Sequence, residues 1–151
     1  MSTALRSVVL GSLLAVVVGL LAGCNVTEQY YEGVDSFGKQ TVADWKEMPE
    51  VVDATYEYRH GLDQGQVMYL DVTIRGDVDK DKVIGQLQEV ARKNFWQKTS
   101  SSDVKVNLAV HSEGSALGGG SATPGPVIYQ GGLGQGSGSP EEKYGPRATT
   151  R

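Results

Sequence analysis

The chain is poor in the residues that build metal sites and covalent cross-links. Its 151 residues include one cysteine, Cys24, and two histidines, His60 and His111. A single cysteine excludes an internal disulfide, so the fold has to be held by packing alone. It also excludes the paired-cysteine zinc patterns. No excess of positive charge is present either: 14 Lys and Arg stand against 18 Asp and Glu, a formal net charge of −4. An acidic chain gains nothing from the phosphate attraction that drives nucleic-acid binding. With no basic stripe interleaved with aromatics, nucleic acid is not an expected partner. No apolar run reaches the roughly 20 residues that a bilayer-spanning helix needs.

Catalytic patterns are missing as well. No serine sits in a Gly-x-Ser-x-Gly elbow. The glycines at 118–120 are not followed by Lys-Ser or Lys-Thr at phosphate-loop spacing. Asp79 and Asp81 suit a helix start, and Glu141 and Glu142 lie in a Gly-rich tail, so neither pair marks an acid–base cleft. In the strand register read below, His60 and His111 point to opposite sheet faces and do not share a metal. No catalytic residue, metal ligand or cofactor is assigned, and the chain is expected not to be an enzyme.

What is present is concentrated at the N-terminus. Arg6 and the terminal amine precede an apolar run from Val8 to Leu21, and Leu21-Ala22-Gly23-Cys24 follows. Those 14 apolar-run residues have the proportions of a signal h-region. Charge, apolar length, two small residues and a cysteine in that order resemble the bacterial lipoprotein signal with its lipobox. The resemblance covers the first 24 residues. It implies that Leu21, Ala22 and Gly23 are recognised by a signal peptidase cutting before Cys24. It implies too that the Cys24 thiol carries diacylglycerol, with a further acyl chain such as palmitate on the new amino group. The membrane is then the first partner, through acyl chains on Cys24. Asn25, where an aspartate often marks inner-membrane retention, implies an outer-membrane address if the host has one, otherwise the outer face of the cell membrane.

The rest divides by composition. Residues 24–40 are polar, broken by Gly33 and Gly38, and read as a tether. Residues 41–113 read as the globular domain. Of the 20 glycines, 11 fall in residues 114–151, which read as a flexible tail. Within the domain, Thr41–Met48 predicts two helical turns ended by Pro49. Strict alternation over Val51–His60 and Gln66–Arg75, around a loop with Gly61 and Gly65, predicts an antiparallel hairpin. That reading turns Val52, Ala54, Tyr56, Tyr58 and His60 to the apolar side. Val83, Leu87, Val90, Ala91 and Phe95 predict a helix over 80–98 with Asp79 as its N-cap, and Trp96 near the edge of the stripe. Val104, Val106, Leu108 and Val110 predict a third strand. Val127-Ile128-Tyr129 either adds an edge strand or stays mobile.

The expected fold is a small α+β two-layer sandwich: an antiparallel sheet under one long helix, with a ββαβ core. This order resembles a ferredoxin-like fold that lacks its first strand. On the outer sheet face, Val67 and Tyr69 form a candidate apolar patch for a partner. The leading functional expectation is a membrane-anchored, non-enzymatic binding or assembly module of the cell envelope, meeting an envelope protein or wall component. A small-ligand carrier or sensor, and a phage- or prophage-encoded surface exclusion lipoprotein, stay open beside it.

Overall fold

The structure, a computed structural model, describes residues 30–61, 65–100, 103–114, 124–134, 136, 138–147 and 149. The signal segment, the lipobox with Cys24, residues 62–64 of the hairpin loop, and residues 115–123 of the tail lie outside the described residues. From Tyr31 onwards the order is α1 (Glu32–Lys46), β1 (Val51–Gly61), β2 (Gly65–Ile74), α2 (Lys80–Lys98), β3 (Val104–Glu113), β4 (Pro124–Gly131) and the short α3 (Pro140–Tyr144). The class is the expected α+β, a four-stranded sheet in the order β1-β2-β3-β4 with helices packed on one face.

The sheet is mixed, which corrects the antiparallel expectation. β1 pairs antiparallel with β2, β2 parallel with β3, and β3 antiparallel with β4. The reason is the 19-residue α2 between β2 and β3. A helix that crosses back over the sheet returns the chain to the same end, so the next strand runs parallel. A ferredoxin-like sheet places another strand between these two. Here Gln66–Ile74 pairs directly with Val104–Ser112, so that slot is closed and the fourth strand adds outside β3 instead.

The domain starts earlier than composition suggests: from Glu32 on, the expected 24–40 tether is part of α1. Val34, Phe37, Gly38, Thr41 and Trp45 are buried along one side of α1, at the spacing that helical periodicity demands. Glu32 and Asp35 in the first turn and Lys46 in the last suit the helix dipole. In α2, Asp79 caps as expected, its carboxylate accepting the Lys82 N–H at 3.1 Å. Val83, Leu87, Ala91 and Asn94 are the buried face. Between the helices, Asn94 donates to Asp44 at 2.8 Å, and the Trp45 indole donates to the Leu87 carbonyl at 3.1 Å. The sheet contributes Met68, Leu70, Val72 and Ile74 from β2 and Val104, Leu108 and Val110 from β3.

Two irregularities modify the strands. The β1–β2 register shifts between Val51 and Asp53. The extra residue, Val52, is therefore turned out to solvent while Val51 and Ala54 both reach the core side. This corrects the period-2 reading of Val52. His60 is also exposed, with its ring 5.2 Å from that of Tyr58. A second shift, around His111, sits in the β3–β4 ladder, and β4 begins Pro124-Gly125-Pro126. Thus part of the expected flexible tail is an edge strand, and Val127-Ile128-Tyr129 takes the ordered of its two alternatives.

Two glycines in helices respond oppositely to a methyl group. A Cβ on Gly33 would stand 2.5 Å from the Lys98 carbonyl oxygen, whereas one on Gly85 meets nothing within 4 Å. Gly33→Ala is expected to destabilise by about 1–3 kcal/mol, because backbone has to move. Gly85→Ala is expected to stabilise by up to about 1 kcal/mol through helix propensity. Urea unfolding of the pair checks both signs.

Candidate functional site

The second half of α2 presents Arg92, Phe95 and Trp96 within one turn and a half, on the side facing the C-terminal segment. Beneath them runs the start of β3. β4 pairs with β3 only as far as Leu108 opposite Gly131. Past Gly131 the chain turns away, with Gly134 at φ 66°, a conformation that suits glycine. Val104, itself buried, and the half-buried Val106 lie on β3 before that point. The chain then meets α2 again through α3. The result is a cleft of about 520 Å³ bounded by α2, the first residues of β3 and the segment from Leu133 to Arg147. Its apolar lining comes from Phe95, Trp96, Val104, Val106 and Leu133, and three cations, Arg92, Lys143 and Arg147, line it as well.

Hydrogen bonds tie this segment to α2. Glu89 is the hub. Its carboxylate takes Lys143 Nζ at 2.7 Å, the Tyr144 hydroxyl at 2.9 Å and Arg92 Nη2 at 3.1 Å. The Trp96 indole donates to the Gly145 carbonyl at 2.8 Å, and Gln97 donates to the Tyr144 carbonyl at 3.3 Å. Arg147 donates to the Thr99 carbonyl at 3.0 Å and lies over the Trp96 ring at 5.0 Å. Arg92 Nη1 donates to the Leu133 carbonyl at 2.6 Å, while its buried Nε finds no acceptor among the described residues. A side chain at position 136 would press to within 3.2 Å of that nitrogen, so Gly136 leaves the space beside it open.

Lys143 first, then Tyr144 and Arg92, hold the Glu89 carboxyl down at about 2 against the opposing effect of its burial. A carboxyl depressed in the folded state contributes stability that is complete above its unfolded pKa and lost as pH falls through the folded one. Docking of the segment is therefore expected to weaken between about pH 4.5 and about pH 2. The Trp96 indole N–H resonance, bonded to Gly145, reports it. In Glu89→Gln the docking should be weaker throughout, and the acid transition should vanish. An unchanged transition in that variant would assign it elsewhere.

The described residues lining the cleft include no carboxylate, histidine, serine or cysteine. The apolar lining beside Arg92, Lys143 and Arg147 suits a ligand with an apolar body and an anionic group. Elsewhere, no group of three or more His, Cys, Asp or Glu among the described residues is placed to hold a metal. No helix among them is long and apolar enough to cross a membrane.

The residues singled out by sequence fall differently. Cys24, with Leu21, Ala22 and Gly23, lies outside the described residues. Val67 and Tyr69, the expected partner patch, differ in exposure. Val67 is 8% exposed. Tyr69 is 38% exposed, and the Arg59 guanidinium sits 4.9 Å from its ring centre. His111 faces oxygen acceptors with both ring nitrogens: Asp71 at 3.1 Å and the Gly125 carbonyl at 3.2 Å. It clasps the start of β4 to β2, a structural role. Sequence reasoning noticed Trp96 only as the edge of a stripe and missed Arg92, Lys143 and Arg147 as a group. One signal was available: Pro140 followed by Glu141 and Glu142, then Gly145, is a helix start and stop inside the Gly-rich tail.

No family model matches the chain, and neither a curated protein nor a solved structure does.

Proposed function

We propose that the chain is an exported lipoprotein, anchored by acyl chains on Cys24, whose domain is a non-enzymatic binding module at the surface of an envelope membrane. The anchor rests on Leu21-Ala22-Gly23-Cys24 following a signal-like apolar run. The observation that carries the binding role is the cleft, which joins an apolar lining to three cations. Tethering raises the effective concentration of the cleft toward anything on the same surface, so modest contacts suffice.

The carrier or sensor reading is favoured by one specific feature. A volume of about 520 Å³ lies within the range of small-ligand sites. The two readings differ in where the ligand comes from, the aqueous phase or the membrane. A thermal-shift screen of the detergent-solubilised protein separates them: a soluble metabolite that raises the melting temperature supports the carrier. Intact mass of the native product tests the anchor. The expected species begins at Cys24 and carries diacylglycerol and acyl mass. A product beginning at Met1 without added lipid overturns the lipoprotein reading.

A further inference from the structure

We infer that the cleft receives an extended segment of a partner protein, which adds as a short antiparallel strand to the open edge of β3 at Val104 and Val106. The segment carries an apolar, an acidic and an apolar residue in succession. This rests on the reading of the cleft as a binding site and names the class of its partner.

The first support is the backbone. Residues 104–107 of β3 pair with residues 66–69 of β2 on one side. On the other side the pairing with β4 ends at Leu108 opposite Gly131. That leaves an open strand edge in the cleft that Val104 and Val106 line. Gly132 fixes its orientation. A Cβ there would stand 3.6 Å from the Val106 carbonyl oxygen, so this carbonyl faces the line along which β4 would have continued. Along a strand, N–H and C=O groups turn to alternate edges residue by residue, so Val104 presents its own pair on the same side. Among the described residues no backbone hydrogen bond reaches either valine on that edge. Val104 is nevertheless 8% exposed. Backbone groups of buried strand residues rarely stay unpaired. An extended peptide supplies the matching donors and acceptors, which a purely apolar ligand does not.

The second support is the side chains. Residues opposite each other in a ladder point to the same face. Val104 and Val106 face the helices. Partner residues opposite them therefore turn toward Phe95, Trp96 and Leu133 in the lining. The residue between them turns to the outer face beside Lys105. That lysine is exposed, stands opposite Val67, and has no ion pair among the described residues. An acidic side chain across from it makes a cross-strand pair of opposite charge. The cations of the cleft play no part in this, because they hold its wall: Arg92 is bonded to Leu133 and Glu89, Lys143 to Glu89, and Arg147 to Thr99.

The probe is the capped peptide Thr-Thr-Val-Glu-Val-Thr-Thr, added to the full processed protein in detergent micelles. Amide hydrogen exchange is followed residue by residue by NMR. At a free peptide concentration about ten times the Kd, exchange at Val104 and Val106 should slow about tenfold. Val110, opposite Tyr129 in the β3–β4 ladder, should not change. N-methylation of both peptide valines keeps their side chains, removes the donors that face β3, and should abolish the effect. A peptide with lysine in place of glutamate should bind about twofold to fivefold more weakly, and Lys105→Glu should invert that preference. Circular dichroism establishes that this variant is folded. The proposal falls if both amides exchange as slowly as Val110 in the free protein, if the N-methylated peptide binds as tightly, or if the plain peptide protects neither amide. Indifference to both charge changes removes the acidic residue from it. Protection that grows with protein concentration alone gives the edge to a second copy and overturns the peptide. The thermal-shift screen keeps the two readings apart. A ligand that raises the melting temperature while the peptide does nothing sinks strand addition and leaves the binding module. Peptide protection in a product without acyl chains keeps the strand site and removes the anchor.

Discussion

Replacing Trp45 by alanine is expected to cost about 3–5 kcal/mol of unfolding free energy, the range for truncating a fully buried large aromatic. Trp45 is 0% exposed and stands in the last turn of α1, where it bonds to α2 through the Leu87 carbonyl. Among the described residues it is also the largest fully buried side chain. Its removal leaves a cavity between two helices that α1 cannot close by moving inward, because Gly38 already lies against Tyr56 and Met68. A domain of this size commonly holds about 5–15 kcal/mol in total, so the variant should be at the edge of unfolding at physiological temperature. Trp45→Phe keeps most of the volume and loses the indole donor, and should cost markedly less. Urea denaturation followed by circular dichroism measures both. A loss below about 1 kcal/mol in the alanine variant would mean that α1 is not packed as described.

Cys24→Ala should have the largest effect in the cell. Without the thiol no diacylglycerol is added, and a signal peptidase that acts on the modified cysteine has no substrate. The expected product is a precursor that keeps residues 1–23 and incorporates no labelled palmitate. The energetic difference is large. Each buried methylene contributes about 0.8 kcal/mol, and stable anchoring takes more than one chain. Wild-type protein should partition wholly into detergent with a mature N-terminus blocked by acylation. Normal processing of the alanine variant would remove the anchor from the proposal.

Where residues obey one periodicity, the sequence was readable. The hairpin, the helix with its Asp79 cap, and the β3 strand each show a single repeat over eight or more residues. The elements that escaped contain glycine used for contact. Val34, Phe37, Thr41 and Trp45 already mark a helical face, but Gly33 and Gly38 read as breaks. Each instead sits where α1 approaches its neighbours too closely for a Cβ, Gly33 against α2 and Gly38 against the sheet. In the tail, glycine-rich composition masked β4 and α3 for a related reason. Most of the order there comes from partners outside the segment, among them Glu89, Trp96, Gln97 and Thr99. The parallel pairing was implicit in a strand–helix–strand order. The cleft was not legible, because Val104, Arg92 and Arg147 meet only after the tail has folded back.

If the chain is anchored as proposed, its two outermost strands bear on how it behaves on a crowded surface. Confinement to a plane brings neighbouring copies edge to edge far more often than in free solution, and an open sheet edge is a template for joining them. β1 meets its neighbours with the kink at Val52, an ion pair from Lys46 to Asp53, and the Arg59–Glu57 pair. β4 meets them with two prolines that offer no N–H. Lateral polymerisation, the hazard that two-dimensional packing adds to any open sheet, is thereby blunted on both flanks.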